Sequence, residues 1–578
     1  MQCAERPSWC IGWLVGIILL AHLGMLAHQA WNDSPTLDEP GHLIAAIGYW
    51  RLQRTDLFCV NPPLVRCLAG LPSLFFEWPM DWHGCTPPPM RPEFTLGGRF
   101  FEIDATRGIL ALRLGRLMCL PISVLGALTC YLWTRDLYGS RAGVVGLLLW
   151  CICPNILAHG HLITSDLAAT SLALVASYVF WKWLNNPTWE LTLTAGIALG
   201  FSELTKFTLI IFYPLWCVLL LLCIVRNFES MRQTGKRAAR FLILVIISLV
   251  FINSFYGFRG TGQPMRERNI AADIIRSSRH AGAFALIDRA LLDSGVPIPL
   301  PCDYVTGIYV QRLDLENGRR SFLFGQWRDK GGWWYYYLVC LGLKTPIGVL
   351  VLFFVSFAVA IACRVRLNWF DELCLFAPGI LILAFVSSQM GYNHHLRYVL
   401  PAAPFFYIAA SKCVRFATWR GFRAVLVISL VWSFLSSAWC LPHSLSYFNE
   451  FAGGPHNGYE FLSNSNTEWA QDFLYLKDWL TRNGVVEPIH LHYTIPSDPN
   501  SLGVDVVRGS IWPCDRETPR RGWYALSVHI LQGDNADRLI PYPPTAYAGY
   551  SIRIYRIDNV VQPTRDYATG QQQERPHD

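Results

Sequence analysis

WCIGWLVGIILLAHLGMLAHQAWNDSPTLDEPG, residues 9–41, joins a long apolar run directly to an acidic pair, Asp38 and Glu39. About twenty apolar residues cross the hydrocarbon core of a bilayer, so this stretch reads as a membrane crossing that delivers two carboxylates to its exit. Arg6 precedes the run, as in a signal peptide. His28 in the triplet His28-Gln29-Ala30 is not the small residue that a cleavage site needs, and the run is expected to be an uncleaved anchor. Adjacent carboxylates at a membrane surface, followed by Pro40 and a return to helical sequence, are candidates for proton chemistry, and Asp38 carries most of that reading. The plainer alternative is that Asp38 caps a helix beginning near Pro40.

The whole chain has the same character: 578 residues, 52% hydrophobic and only 15% charged. That is too apolar for an ordinary soluble protein. The formal charge of +7 resides mostly in short basic clusters between apolar segments, which orients a chain in a bilayer and argues against nucleic-acid binding. The 18 cysteines show no CxxC pair and no Cys/His ligand spacing. Cys217, Cys223 and Cys363 lie inside apolar runs as small hydrophobes. Cys59, Cys67, Cys85, Cys302 and Cys514 fall in segments expected outside, where disulfides are chemically allowed but their pairing is unreadable.

Eleven stretches have the length and apolarity of crossings, near 9–28, 108–133, 142–158, 163–184, 190–205, 207–225, 241–256, 335–362, 371–390, 398–416 and 422–440. If they alternate, Arg135 and Arg141, Lys182, the Arg226–Arg240 cluster, Arg364 and Arg366, and Arg415–Arg423 all fall on one side. The excess of basic residues makes that side cytoplasmic. The expected fold is therefore an α-helical polytopic protein of the plasma membrane over residues 1–440, with the N-terminus inside. Outside would lie loops 29–107 and 257–334 and a small mixed α/β domain, 441–560, followed by a polar, disordered tail, 561–578. HLIAAIGYWRLQR (42–54) and PLVRCLAGLPSLFF (63–76) are too short and too charged to span, and they read as interfacial helices roofing the outer ends. GGWWYYY (331–337) reads most simply as an aromatic belt.

Four features then share the outer face with Asp38. Asp166, in LITSDLAAT, stands at the rim of a span, where an ionisable group needs a partner or a function; its plainer role is a helix cap. Lys206, in ELTKFT, meets an anionic headgroup or simply snorkels, and Lys344 has the same option. His394, His395 and Arg397 share a short loop, and Arg suits bidentate phosphate binding. A lipid-phosphate leaving group needs cations more than an acid, whereas an attacking hydroxyl needs a carboxylate base. The inventory fits glycosyl transfer from a lipid-phosphate sugar, as well as other lipid-phosphate chemistry.

The motifs TLDEPGHLIAAIGYW, VNPPLVRCLAGLP, RLGRLMCLPISVLGAL, HGHLITSDLAATSLAL, LTKFTLIIFYP, GGWWYYYLVCLGLKTP, HHLRYVLPAAPFFYI and YFNEFAGGPHNGYEFLSNSNTEWAQDF, in this order, resemble the GT-C superfamily of polyprenyl-phosphate-sugar-dependent glycosyltransferases. The resemblance covers most of residues 10–480 and points to bacterial relatives of dolichyl-phosphate-mannose protein mannosyltransferases and of the lipid A aminoarabinose transferase. It implies that Asp38, with Glu39 beside it, is the catalytic or base position and that Asp166 is a second active-site position. In the aminoarabinose branch a first-loop Lys-Pro contacts the lipid phosphate. Here the comparable element is Asn61-Pro62-Pro63 without the lysine, which shifts that contact to Arg397, Lys206 or Arg66 and leaves Asn61, His394 and His395 as substrate-binding candidates. The resemblance also implies inversion by single displacement, sometimes with a divalent metal. The implied partners are a polyprenyl-phosphate-linked sugar donor, a protein, lipid or glycan acceptor, and membrane lipid. A transporter or flippase of lipid-linked saccharides is the alternative; it would place its charges near the bilayer midplane and often shows repeated halves, which this sequence lacks.

Overall fold

The computed structural model describes residues 9–83, 91–228, 230–277, 283–362, 368–416, 420–507, 519–533, 539 and 541–558. Cys85, Cys363, Cys514, Arg279, Arg364, Arg366 and the tail 561–578 lie outside the described residues.

The chain is a multi-span helical membrane protein. Its first half runs α1 (Trp9–Asn32), α2 (Glu39–Arg51), α3 (Leu64–Ala69), α4 (Pro92–Ile103), α5 (Ala105–Tyr138), α6 (Ser140–Cys151), α7 (Pro154–Gly160), α8 (Ser165–Asn185), α9 (Trp189–Glu203), α10 (Phe212–Asn227) and α11 (Met231–Phe255). The outer loop folds into α12 (Asn269–Ser277), α13 (Ala283–Asp293), α14 (Cys302–Asn317) and the hairpin of β1 (Ser321–Leu323) and β2 (Gln326–Arg328). Then come α15 (Tyr336–Lys344), α16 (Ile347–Ala362), α17 (Trp369–Ser388), α18 (Ala403–Ser411), α19 (Arg420–Cys440) and α20 (Phe473–Arg482).

Among the described residues seven helices are long and apolar enough to cross a membrane: α1, α5, α8, α10 with its leading 3-10 turn, α11, α17 and α19. Two bent pairs, α6 with α7 (60°) and α15 with α16 (112°), raise the count to nine if each is one crossing. Both bends fall at X-Pro steps, where Cys153 before Pro154 and Thr345 before Pro346 take extended backbone, the conformation that proline favours at the preceding residue. The expected eleven is not reached. Stretch 190–205 folds as the 15-residue α9, and 398–416 breaks into 3-10 turns around the 9-residue α18, where Pro401 and Pro404 cannot donate to an α ladder.

The expected interfacial helix 42–54 is instead buried. As α2 it is enclosed from Glu39 through Gly48, packed against α3, α4 and α5. Only the end of the 63–76 segment is strongly exposed, at Leu74, Phe75 and Phe76, as a headgroup anchor would be. The aromatic run is also mostly core: Trp333, Tyr336 and Tyr337 are buried and Trp334 alone is well exposed. Lys344 does not snorkel, because its Nζ donates to the carbonyls of Leu445 (2.8 Å) and Asn466. Cys59, Cys67 and Cys302 are free thiols.

The segment after residue 441 forms β3 (His490–His492), β4 (Gly522–Ser527), β5 (Ala546–Ala548) and β6 (Ile552–Ile557), ordered β3-β4-β6-β5. β3 is parallel to β4 and the other pairings are antiparallel, with Ala525 opposite Ile554. Phe473, Leu476 and Leu480 of α20 cover this sheet, and Leu37 and Ala105 join the same core. The C-terminal domain therefore packs on the segment that carries Asp38.

Helix α4 approaches α2 so closely that a Cβ on Gly97 would stand 2.6 Å from the Pro40 carbonyl carbon, whereas one on Gly98 would meet only the Pro496 oxygen, at 3.5 Å. Alanine gains about 1 kcal/mol of helix propensity over glycine at either site. Gly98→Ala should therefore hold or raise the melting temperature in detergent, while Gly97→Ala should lower it. Equal melting temperatures would refute this account of the contact.

Candidate active site

The site begins with a buried arginine. Arg116 of α5 donates from Nε to Glu39 Oε1 (2.9 Å) and from Nη2 to Oε2 (2.5 Å), and its remaining hydrogens reach the carbonyls of Ala30, Asp33 and Ser34. Glu39 also accepts from the Thr36 amide (3.0 Å) and hydroxyl (3.1 Å) and from the Ile163 amide (3.2 Å). Both side chains are 0% exposed. Burial pushes the Glu39 carboxyl up, but the Arg116 charge and hydrogen bonds outweigh it and hold the group below the usual carboxylate range. Glu39 thus pins the turn between α1 and α2. It does not line the cavity, so of the two acidic neighbours it is the one whose carboxylate cannot reach a substrate there.

Asp38 points the other way. It occupies the residue before α2 yet makes no side-chain cap bond; its Oδ2 accepts from Arg397 Nη2 at 3.1 Å. Asp166 is not the cap of α8 either, since Thr164 holds that position. Its Oδ1 accepts from Lys206 Nζ at 2.7 Å, and its Oδ2 stands 3.7 Å from Arg397 Nη1. Lys206, expected to snorkel as the plainer alternative, is buried, because the chain breaks after α9 and takes extended backbone there (φ −154°, ψ 130°). Two carboxylates and two cations, drawn from four separate parts of the chain, form one quartet. Although burial lowers the Arg397 pKa, the Asp166 and Asp38 charges outweigh it and raise the pKa well above the ordinary value.

The quartet faces a cavity of about 430 Å³. Asn61, His394 and His395 line it. Asn61 Oδ1 accepts from Ser165 Oγ (3.2 Å), while the Nδ1 atoms of His394 and His395 meet Asn464 (3.1 Å) and Ser465 (2.7 Å). Burial lowers His394 to about 4 and takes His395 well below its ordinary value, so both rings are neutral. Arg66 is absent from the lining: its guanidinium holds the Phe58 carbonyl and that of Asn61 (2.6 Å), and so shapes the loop instead of reaching a ligand. Sequence reasoning missed His42, Arg91, Glu468, Trp469 and His529, all in the lining. Glu468 and Trp469 lie in the quoted SNTEWAQD run, which was the available signal. Among the described residues no group of three His, Cys, Asp or Glu side chains is placed to hold a metal ion.

Residues 107–252 match the profile of the family described as dolichyl-phosphate-mannose-protein mannosyltransferase. No curated protein matches the chain by sequence. Similar solved structures include ArnT from Cupriavidus metallidurans bound to undecaprenyl phosphate, 12% identical with TM-score 0.46 over 96% of this chain and 99% of that one. AglB from Archaeoglobus fulgidus, in complex with an inhibitory peptide and a dolichol-phosphate, is 15% identical with TM-score 0.43 over 75% and 56%. The S. cerevisiae Pmt1-Pmt2 complex bound to the sugar donor is 19% identical with TM-score 0.34 over 44% and 34%.

Removing one member of a buried ion pair strands the other charge, at a cost of about 3–5 kcal/mol, and Glu39→Gln should lower thermal stability accordingly at pH 7. Because the folded-state pKa of Glu39 is depressed, its contribution is complete above the unfolded value of about 4.3 and fades as pH falls through the folded value. The gap between wild type and Glu39→Gln should therefore shrink in acid. Melting curves in detergent across pH would contradict this if the gap stayed constant or widened.

Proposed function

We propose that this cavity is the active site of a glycosyltransferase that moves a sugar from a polyprenyl-phosphate donor to an acceptor hydroxyl on a protein, lipid or glycan, with inversion at the sugar carbon. One observation carries the reading: Asp38 and Asp166 flank Arg397, with Lys206 completing the quartet, at the edge of a cavity large enough for a glycosyl unit. The family profile over residues 107–252 supports the same chemistry.

In this mechanism the acceptor hydroxyl attacks the anomeric carbon and its proton passes to the Asp38 carboxylate as the bond to the phosphate oxygen breaks. The leaving phosphate keeps the electron pair, and its charge is met by Arg397 and Lys206. Asp38 suits the base role because its side chain is 29% exposed, against 6% for Asp166. A donor phosphate that draws hydrogen bonds from Arg397 competes with the 3.1 Å contact to Asp38 and leaves the Asp38 carboxylate to the acceptor hydroxyl. The donor set does not fit a resident divalent cation, since both carboxylates are already neutralised by basic side chains; the phosphate charge falls to those side chains.

The cavity end of the bundle is the extracytoplasmic one in this reading. Asp166 begins α8 and Lys182 ends it, about 24 Å away at 1.5 Å per residue, so the basic loops lie at the opposite, cytoplasmic end.

Asp38→Asn keeps size but cannot take a proton at neutral pH. It should cut transfer by about two or more powers of ten while still binding undecaprenyl phosphate in lipid nanodiscs. Arg397→Lys, which loses the bidentate fork, should instead weaken binding of that lipid. Near-normal turnover by Asp38→Asn would remove the base assignment.

A further inference from the structure

The quartet accounts for one wall of the cavity; another is supplied by the segment leading into the C-terminal domain. Asn464, Ser465, Glu468, Trp469 and Ala470, from seven consecutive residues, all line it. Two of these non-glycine residues hold left-handed backbone, Asn464 (φ 57°) and Ala470 (φ 73°), a conformation that persists only where surrounding contacts enforce it. Those contacts are present. Asn466 accepts from the Leu396 amide (2.8 Å) and donates to the His394 carbonyl (2.7 Å), and the Arg397 guanidinium stacks 3.8 Å over the Trp469 ring.

The chemistry of this wall differs from that of the quartet. Ser527 Oγ accepts from the His529 amide (3.0 Å) and donates to Glu468 Oε2, and His529 Nε2 meets Thr467 Oγ1 (2.7 Å). Burial, with Asp472 adding like charge, pushes the Glu468 carboxyl up to about 8, and burial holds the His529 imidazole down to about 4. The carboxyl is thus an uncharged acid at neutral pH with a proton to donate, and the imidazole beside it is neutral. His394 Nε2 is buried without a partner among the described residues. Neutral donors and acceptors beside an indole face suit a ring of hydroxyl groups, and unlike the quartet they bring no cation to an anion.

Resting on the active-site reading above, we propose that the Asn464–Ala470 segment with His529 is the subsite for the transferred sugar, and that Glu468 is the specificity residue that reads one of its hydroxyls. Trp469 covers Arg397, and Glu468 lines the same cavity as both, so a ligand whose phosphate is held by Arg397 extends within that cavity toward Glu468. In a polyprenyl-phosphate sugar that group is the glycosyl unit.

The test compares binding of undecaprenyl phosphate with that of its mannosyl, glucosyl, galactosyl and arabinosyl esters to the full-length protein in nanodiscs. At least one ester should bind about tenfold tighter than the bare lipid, equivalent to about 1.4 kcal/mol. Glu468→Ala should erase that increment and leave the bare lipid's affinity unchanged. Glu468→Gln, which keeps a neutral donor in place, should retain most of it. No increment for any ester in the wild type, loss of the increment in Glu468→Gln, or equal weakening of ester and bare lipid by Glu468→Ala would each overturn the subsite. Failure of undecaprenyl phosphate itself to bind the wild type would instead bring down the active-site reading and this subsite with it.

Discussion

The bidentate pairing of Arg116 with Glu39 is the constraint on which the site depends. Within the six residues between α1 and α2 the chain must reverse, and that turn leaves the carbonyls of Ala30, Asp33 and Ser34 without helical partners. A single guanidinium takes all three together with the Glu39 carboxylate. Charge-assisted bonds of this kind are roughly twice as strong as neutral ones and fix direction as well as distance. With Glu39 locked inward, its neighbour Asp38 is left facing the cavity. The acidic pair thus divides into a carboxylate that holds the fold and one that is available for chemistry.

A second constraint is electrostatic neutrality. Asp38, Asp166, Lys206 and Arg397 are each costly to bury alone and tolerable together, because every charge has an opposite within 4 Å. The balance is also what makes the site responsive. An arriving phosphate adds negative charge to a set that was already neutral, and the two cations must be shared among three anionic groups. The ligand that the site is proposed to hold therefore competes with Asp38 and Asp166 for Arg397.

Backbone breaks deliver these side chains. Lys206 reaches the cavity because α9 stops and the chain extends before the turn into α10, and Arg397 because the 396–402 run closes in 3-10 turns ahead of α18. The C-terminal domain completes the enclosure through core shared with Leu37 and through the strained Asn464–Ala470 segment.

Much of this was legible in the sequence. Apolar length identified the membrane class, and Asp38, Asp166, Lys206, Arg397 and both histidines were legible as ionisable or polar groups where the apolar pattern ends, whereas Asn61 came only from the family resemblance. What sequence could not distinguish was direction. Glu39 and Asp38 are adjacent and chemically alike, and only the position of Arg116, 77 residues from Glu39, sends one inward and the other to the cavity. Arg66 looked like a ligand cation until the carbonyls of its own loop claimed it, and α2 looked interfacial until α3, α4 and α5 covered it. Glu468 gave no sign of being a neutral acid, since its carboxyl is pushed up by burial in the folded chain, with the Asp472 charge adding to it. Local sequence determined where the chain meets the membrane and which groups it carries to that boundary, because hydrophobic transfer depends on composition over about twenty residues. Tertiary structure decided which of those groups face one another, because ion pairing and desolvation depend on neighbours that the chain brings together only when it folds.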